Sequence, residues 1–136
     1  MASGQCERLI SLNAERFERV CFGTDNNTLY ISDSEAKLHV WDLTNDRLIK
    51  TFSEDHTISC VAIHPKSPIF SYCTFDKGGK QNCKVFDRVT GRALFGAIAD
   101  THGVSFVIFS PDGSLMATVG SECVIRIWKL DEILKK

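Results

Sequence analysis

The 136-residue sequence has no long apolar run and no concentration of charge of one sign. A membrane-crossing helix needs about 20 mostly apolar residues, so we expect no membrane span. The 16 basic and 17 acidic side chains are interspersed, whereas nucleic-acid-binding domains usually carry a basic stripe. We therefore do not expect nucleic acid as a partner. The N-terminal segment MASGQCERLI lacks the apolar core of a secretory signal, which predicts a cytoplasmic or nuclear protein.

The six cysteines lack the paired short spacing that is typical of zinc sites and disulfide frameworks. Most lie within apolar stretches such as ISCVAI, which predicts buried thiols in a reducing compartment. A zinc site built from Cys60, His64 and Cys73 is the alternative, but it lacks the required spacing. The segment KGGKQN has no phosphate-binding spacing and no following helix. We predict no metal and no cofactor, and we expect this segment to be an exposed hairpin tip.

What the sequence does contain is a repeat. Aromatic residues that end a strand-like stretch recur after 45 and then 42 residues: Trp41, Phe86 and Trp128. Each follows, by 19, 23 and 19 residues, an apolar residue that precedes turn-forming residues: Phe22, Ile63 and Phe109. The period is about 42 residues, and the middle unit is longer by four. We place the extra residues in the polar stretch DKGGKQN, residues 76–82.

Each unit contains strand-like segments in which apolar and polar residues alternate. The first has FERVCF, TLYIS, LHVWDL and RLIKTF; the second ISCVAI, IFSYCTF, CKVFDR and RALFGAI; the third VSFVIF, SLMATVG and VIRIWKL. The third unit ends in DEILKK, at most one helical turn, without a fourth strand. At the other end CERLISL, residues 6–12, resembles RLIKTF and is predicted to be an additional fourth strand. These short segments and their turns predict an all-antiparallel protein.

This pattern resembles the WD-repeat β-propeller family. The motifs that carry the resemblance are VWDL (40–43), VFDR (85–88), IWKL (127–130) and the turn FSPDG (109–113). The resemblance implies an all-β fold of antiparallel four-stranded blades, about three in number, in an open arc. It implies one WD-repeat region over residues 1–136, with a fourth strand of a clasp blade at 5–13. Blade 1 would span 14–53, blade 2 54–99, and blade 3, without its fourth strand, 100–131.

The resemblance also implies a structural polar network in each blade. In the family, the tryptophan of the third strand donates its ring N–H to a Ser or Thr of the second strand. A His in the loop entering the blade continues the network, and an Asp before the third strand fixes that His. The expected members are His102, Thr118, Glu122 and Trp128 in blade 3; His56, Ser71 and Asp76 in blade 2; and Trp41 in blade 1. Phe86 replaces the tryptophan in blade 2, and Ile31 takes the Ser/Thr place in blade 1. The aspartates Asp42 and Asp87 are expected to cap the following turns.

Recognition of other proteins is the predicted function. His56 with Asp55, or His102 with Asp100, has the composition of half a catalytic triad, but the resemblance gives these histidines a structural role, so we predict no enzyme. His39, beside Trp41, is expected at the surface or a strand edge and not as a metal ligand. In the family, the rim of loops entering each blade and preceding each third strand binds proteins or peptides. The candidate contacts here are Arg16, Glu35, Asp55, Lys77, Lys80 and Asp100.

Three blades do not close a ring, because propellers have about four to eight. Two apolar blade faces would then remain exposed to solvent and prone to association. Three explanations stay open: the sequence is part of a longer propeller adaptor with no independent function, two copies form a six-bladed ring with strand 6–12 completing the partner's third blade, or a different propeller chain completes it. A small β-enzyme and a nucleic-acid-associated subunit are the remaining alternatives for function.

Overall fold

The computed structural model describes residues 4–75 and 81–134 and is almost entirely β. The strands are β1 (Phe17–Phe22), β2 (Thr28–Asp33), β3 (Lys37–Asp42), β4 (Arg47–Ser53), β5 (Ile58–Ile63), β6 (Ile69–Thr74), β7 (Cys83–Asp87), β8 (Ala93–Ala97), β9 (Val104–Phe109), β10 (Leu115–Gly120) and β11 (Ile125–Lys129). One short helix, α1, spans Leu130–Ile133. No helix in these two ranges is long and apolar enough to cross a membrane.

The strands form three antiparallel sheets, each with its strands in chain order. Blade 1 contains β1–β4, blade 2 contains β5–β8, and blade 3 contains β9–β11. This confirms the predicted all-β class and the four-, four- and three-stranded units. α1 follows β11 where a fourth strand of blade 3 would begin.

The turns at one end of the blades are capped by aspartates, as predicted. Asp42 Oδ1 accepts the backbone N–H of Thr44 at 2.9 Å, and Asp87 Oδ1 accepts that of Val89 at 2.8 Å. In the FSPDG turn, Asp112 Oδ1 accepts the N–H of Ser114 at 3.0 Å. Hydrogen bonds from Ser114 and Ser110 lower the pKa of Asp112 to about 2. An Asp carboxylate satisfies backbone donors in such turns, which is why the residue recurs there.

The apolar core lies between the blades. One cluster joins blades 1 and 2 through aromatic rings, and its buried members are Tyr30, Leu38, Val40, Ile58, Phe70, Tyr72 and Phe86. The second joins blades 2 and 3, and its buried members are Ala62, Cys73, Cys83, Val85, Ala99, Val104, Val107, Met116 and Leu130. Each blade is therefore stabilised mainly by its neighbour.

The outward face of blade 3 is apolar and exposed. Its residues pair across three strands, Ala117 with Ile108 and Ile127, and Val119 with Phe106 and Ile125. The exposed fractions are 52% for Phe106, 62% for Ile108, 69% for Ile125 and 60% for Ile127. The face of blade 1 that points away from blade 2 carries Val20 and Phe22, which are 64% and 62% exposed. The expected pair of open apolar faces is thus present in the described residues.

Residues 5–13, expected to form a strand of a clasp blade, are not a strand here. A strand needs a hydrogen-bonded neighbour, and the segment pairs with no sheet edge within residues 4–75 and 81–134. Arg8 instead donates to the carbonyl of Leu43 at 2.7 Å. Ile10 lines a cavity of about 330 Å³ against β1 and β2, together with Phe17 and Val20. The segment therefore lies against blade 1, and its pairing with another blade stays a prediction.

Candidate interaction surface

The loops that enter the blades and the loops before each third strand lie at the same end of the sheets. We call this surface the rim; in blades 1 and 2 it comprises residues 13–16, 34–36, 54–57 and 75–82, of which 76–80 lie outside the described residues. Backbone hydrogen bonds connect its loops. Ser34 N–H donates to Arg16 O at 2.8 Å, Glu54 N–H to Ala36 O at 2.9 Å, and Phe75 N–H to Thr57 O at 3.2 Å. The rim is thus held in place by main-chain contacts.

In blade 3 the rim comprises residues 98–103 and 121–124, and Asp100 connects these two loops. Its Oδ1 accepts the N–H of His102 at 2.8 Å, and its Oδ2 accepts the N–H of Glu122 at 3.1 Å. Asn82 Nδ2 donates to the Asp100 carbonyl at 2.6 Å, which ties in blade 2. Asp100 is only 2% exposed. A Cβ at Gly120 would lie 2.4 Å from Asp100 Oδ2, so the close approach of these loops requires glycine there.

The predicted rim contacts differ in their placement. Arg16 is exposed and pairs with Glu18 at 2.8 Å, and Glu35 is exposed with its carboxylate 3.9 Å from Lys37 Nζ. Asp55 is also exposed. Asp100 corrects the prediction, because its buried carboxylate is used inside the protein. Lys77 and Lys80 lie outside the described residues. The described part of the rim therefore offers exposed groups of both signs.

In blade 3 the structure brings together two members of the predicted network. Trp128 Nε1 donates to Thr118 Oγ1 at 3.1 Å, and Thr118 is 2% exposed. His102, by contrast, is exposed and points its Nδ1 toward Thr101 Oγ1 at 3.2 Å. Glu122 Oε2 accepts from Thr101 Oγ1 at 2.8 Å, and its Oε1 pairs with Arg126 at 3.2 Å. The inner position expected for His102 is therefore held by Asp100.

We expect Thr118→Val to destabilise the chain by about 1 kcal/mol, because the partly buried indole N–H of Trp128 loses its acceptor while the side-chain shape is kept. Urea unfolding of Thr118→Val, Trp128→Phe and the double variant forms a thermodynamic cycle. The coupling energy should be about 1 kcal/mol. Strictly additive effects would show that the hydrogen bond contributes nothing.

In blade 2 the polar network is built around Glu54. Its carboxylate accepts a hydrogen bond from the Tyr72 hydroxyl and lies 3.1 Å from Lys84 Nζ. Burial and the neighbouring Glu54 raise the pKa of Tyr72. Phe70 lies directly opposite Phe86 on the neighbouring strand, so the two side chains are on the same face of the sheet. Tyr72, two residues after Phe70, is on that face too, whereas Ser71 lies on the opposite face.

Ser71, predicted as the Ser/Thr member of this network, therefore donates elsewhere, to the Lys84 carbonyl at 2.8 Å. His56 is an exposed residue of the loop that enters blade 2. Asp76, its predicted partner, lies outside the described residues. Glu54 thus holds the inner position for which His56 was predicted.

In blade 1 the indole of Trp41 faces the open side, with Ile31 at the Ser/Thr place. The Nε1 of Trp41 is buried and has no hydrogen-bond partner among the described residues, in agreement with the apolar Ile31 at the Ser/Thr place. His39, expected at the surface or a strand edge, is instead 6% exposed. Asp33 Oδ2 lies 2.7 Å from His39 Nε2, and Thr51 Oγ1 lies 3.1 Å from Nδ1.

Asp33 is the fully buried member of this chain of polar groups. Burial alone would raise its pKa, but hydrogen bonds from His39 and from the backbone N–H groups of Glu35 and Lys37 hold it below its usual value. Thr51, His39 and Asp33 are hydrogen-bonded in the order of a nucleophile, base and acid. They lie on the adjacent strands β4, β3 and β2 of one sheet. We therefore interpret them as a structural link between these strands.

Asp100, His102 and Glu122 also have potential metal-ligand atoms within 4.8 Å of one another. Both carboxylate oxygens of Asp100 already accept backbone N–H groups, and Glu122 pairs with Arg126. A cation placed here would compete with the Arg126 guanidinium. The contacts therefore favour a hydrogen-bonded support of the rim over a metal site.

Comparison with known proteins shows which proteins the chain is similar to. The sequence profile of the WD40 family (WD domain, G-beta repeat) matches residues 95–129, which include all three strands of blade 3. The target of rapamycin complex subunit LST8 of Bos taurus is 27% identical over 133 residues, covering 92% of this chain and 40% of that protein. The nuclear distribution protein PAC1 of Ajellomyces capsulatus is 25% identical over 150 residues, covering 95% of this chain and 33% of that protein.

Striatin-3 of Bos taurus is 26% identical over 110 residues, covering 81% of this chain and 13% of that protein. The chain therefore spans less than half the length of each of these relatives. The repeat period, the three antiparallel sheets, the profile match and the similarity along most of the chain agree with one another. Residues 95–129 match the WD40 repeat, and the chain is similar to these relatives over most of its length.

Proposed function

We propose that this chain is a non-enzymatic WD-repeat scaffold that binds proteins or peptides through its rim. The observation that carries the proposal is the rim itself, in which exposed Arg16, Glu35 and Asp55 stand on loops that main-chain hydrogen bonds hold in place. Loops on a rigid scaffold are common binding surfaces. The similarity to a protein named as a subunit of the target of rapamycin complex supports a role in protein assemblies. We place the chain in the cytoplasm or nucleus.

The rim can be tested by charge reversal at matched exposed positions. Arg16→Glu alters the rim, whereas Arg92→Glu alters an exposed arginine in the turn before β8, at the opposite end of the blades. With Arg16→Glu, we expect the amount of protein that co-purifies with the tagged chain to fall by about tenfold. A tenfold loss of affinity is equivalent to about 1.4 kcal/mol of binding free energy. Quantitative mass spectrometry of the purified complexes provides the measurement.

Arg92→Glu should leave the same set of proteins unchanged, and both variants should unfold at the wild-type temperature. Retention of every partner by Arg16→Glu and by a second rim variant, Glu35→Lys, would contradict binding through the rim. Loss with Arg92→Glu alone would place the binding surface at the other end of the blades.

We also propose that further β-blades cover the two open apolar faces, in an assembly with a second copy or within a longer propeller. Four adjacent side chains on the outward face of blade 3, Phe106, Ile108, Ile125 and Ile127, are each more than half exposed. Contiguous apolar surface of this kind marks an interaction site. The regular pairing of these residues across three strands suits another sheet packed face to face.

A further inference from the structure

Three cysteines stand side by side on neighbouring strands of blade 2. Cys60 on β5 is directly opposite Cys73 on β6, and Cys73 is directly opposite Cys83 on β7. All three belong to the face that packs against blade 3, where Cys60 Sγ lies 3.5 Å from Val107 O. All six cysteines of the chain are in the thiol form. Neither the WD-repeat motifs nor the proposed binding function accounts for this row of thiols.

The geometry between Cys60 and Cys73 is compatible with a disulfide. Directly opposite residues of antiparallel strands have Cα atoms about 4.5–5.5 Å apart, within the range of about 4.4–6.8 Å that disulfides span. Cys73 Sγ lies 3.9 Å from the backbone carbonyl oxygen of Cys60, so the buried thiol lies beside the residue opposite it. Cys60 is partly exposed, whereas Cys73 is fully buried behind it. One thiol is thus accessible to a small oxidant, and the other is placed to react with it.

We propose that Cys60 and Cys73 form a peroxide-sensitive dithiol that closes to a disulfide within blade 2. The Cys60 thiolate attacks one oxygen of hydrogen peroxide, the O–O bond breaks, and hydroxide leaves, giving a sulfenic acid. The Cys73 sulfur then attacks the Cys60 sulfur, the S–O bond breaks, and hydroxide leaves with the thiol proton as water. Two thiols and one peroxide thereby become one disulfide and two waters.

The environment distinguishes Cys60 from its neighbours. The neighbouring Cys73 thiol lowers the pKa of Cys60 against the opposing effect of burial, and the Val107 carbonyl and the Arg19 guanidinium add to the lowering. Burial raises the pKa of Cys83 to about 11. Since the thiolate is the reactive form, Cys60 is the attacking group and Cys83 remains a thiol. Cys60 and burial also raise the pKa of Cys73, so the part of Cys73 rests on its position directly opposite Cys60: it attacks only after Cys60 has been oxidised.

Mass spectrometry of the 136-residue chain after treatment with hydrogen peroxide tests the proposal. Cys6 and Cys123 are exposed, so both are changed to serine to prevent cross-linking between molecules. In this background we expect a loss of two hydrogen atoms from the intact mass and a peptide pair linked through Cys60 and Cys73. Alkylation of the untreated protein at pH 7 should modify Cys60 at least about tenfold faster than Cys83.

Two variants serve as controls. Cys83→Ser should leave the Cys60–Cys73 link intact, and Cys73→Ser should leave a sulfenic acid on Cys60 that a dimedone probe captures. Tryptophan fluorescence before oxidation verifies that each variant is folded. A Cys73–Cys83 link, or two reduced thiols at positions 60 and 73 after peroxide treatment, would overturn the proposal.

Discussion

Phe70→Ala should lower the free energy of unfolding by about 3–5 kcal/mol, the cost of removing a fully buried phenylalanine. Phe70 is 1% exposed, and its ring lies 5.0 Å from that of Tyr30 in blade 1 and 5.3 Å from that of Phe86 in its own blade. It therefore joins two blades as well as filling the core. Because domains of this size are stable by only about 5–15 kcal/mol, a large fraction of the chain should unfold at moderate urea concentrations.

The control for this variant is Val89→Ala. Val89 is also apolar but is 74% exposed in the turn after β7, so its truncation should change stability by no more than about 0.5 kcal/mol. Both variants should be compared by urea unfolding at one low protein concentration. Equal effects of the two substitutions would show that the aromatic cluster between blades 1 and 2 is not a stabilising core.

Asp100→Ala should destabilise the chain by about 2–4 kcal/mol. The substitution removes the buried carboxylate that accepts the partly buried backbone N–H groups of His102 and Glu122, and a group left without its acceptor costs about 1–3 kcal/mol. The loops of blade 3 should separate as a result. Thermal unfolding measures the loss of stability, and amide hydrogen exchange should show faster exchange at residues 100–103 and 120–123.

Asp112→Ala provides the matched comparison. Asp112 also accepts a backbone N–H, from Ser114, but it is exposed. Water can replace its carboxylate, so the loss of stability should be clearly smaller than for Asp100→Ala. An Asp100→Ala protein with wild-type stability and unchanged exchange would mean that Asp100 does not hold the rim together.

The strands and blades could be predicted from the sequence because they repeat with a fixed period. All eleven strand-like segments predicted in the three units became strands, and the repeating aromatics mark β3, β7 and β11. Turn chemistry was equally predictable, since an aspartate cap depends only on neighbours along the chain. The likeness of residues 6–12 to RLIKTF predicts a strand, but a strand also requires a hydrogen-bonded partner, and no strand of the described residues pairs with this segment.

The polar networks were predicted less well because they depend on which face a side chain occupies. Ser71 and Tyr72 are adjacent, so a one-residue error places the predicted hydroxyl on the wrong side of the sheet. The family pattern predicts a histidine at the inner loop position, but this chain has acidic residues there. Glu54 and Asp100 each lie nine residues before the apolar residue that ends the first strand of their blade, Ile63 and Phe109. The shared spacing indicates that the two residues are equivalent, although neither is the expected histidine.

The most direct test of the account is light scattering on the purified 136-residue chain over a concentration series, alongside the double variant Ile108→Asp, Ile127→Asp. Both substitutions lie on the open face of blade 3, at side chains that are 62% and 60% exposed. If the open apolar blade faces bind another sheet, the measured mass of the wild-type chain should exceed that of one chain and rise with concentration. The double variant should remain folded and have the mass of one chain. A wild-type chain that remains monomeric throughout, or association that the two aspartates do not reduce, would contradict the account.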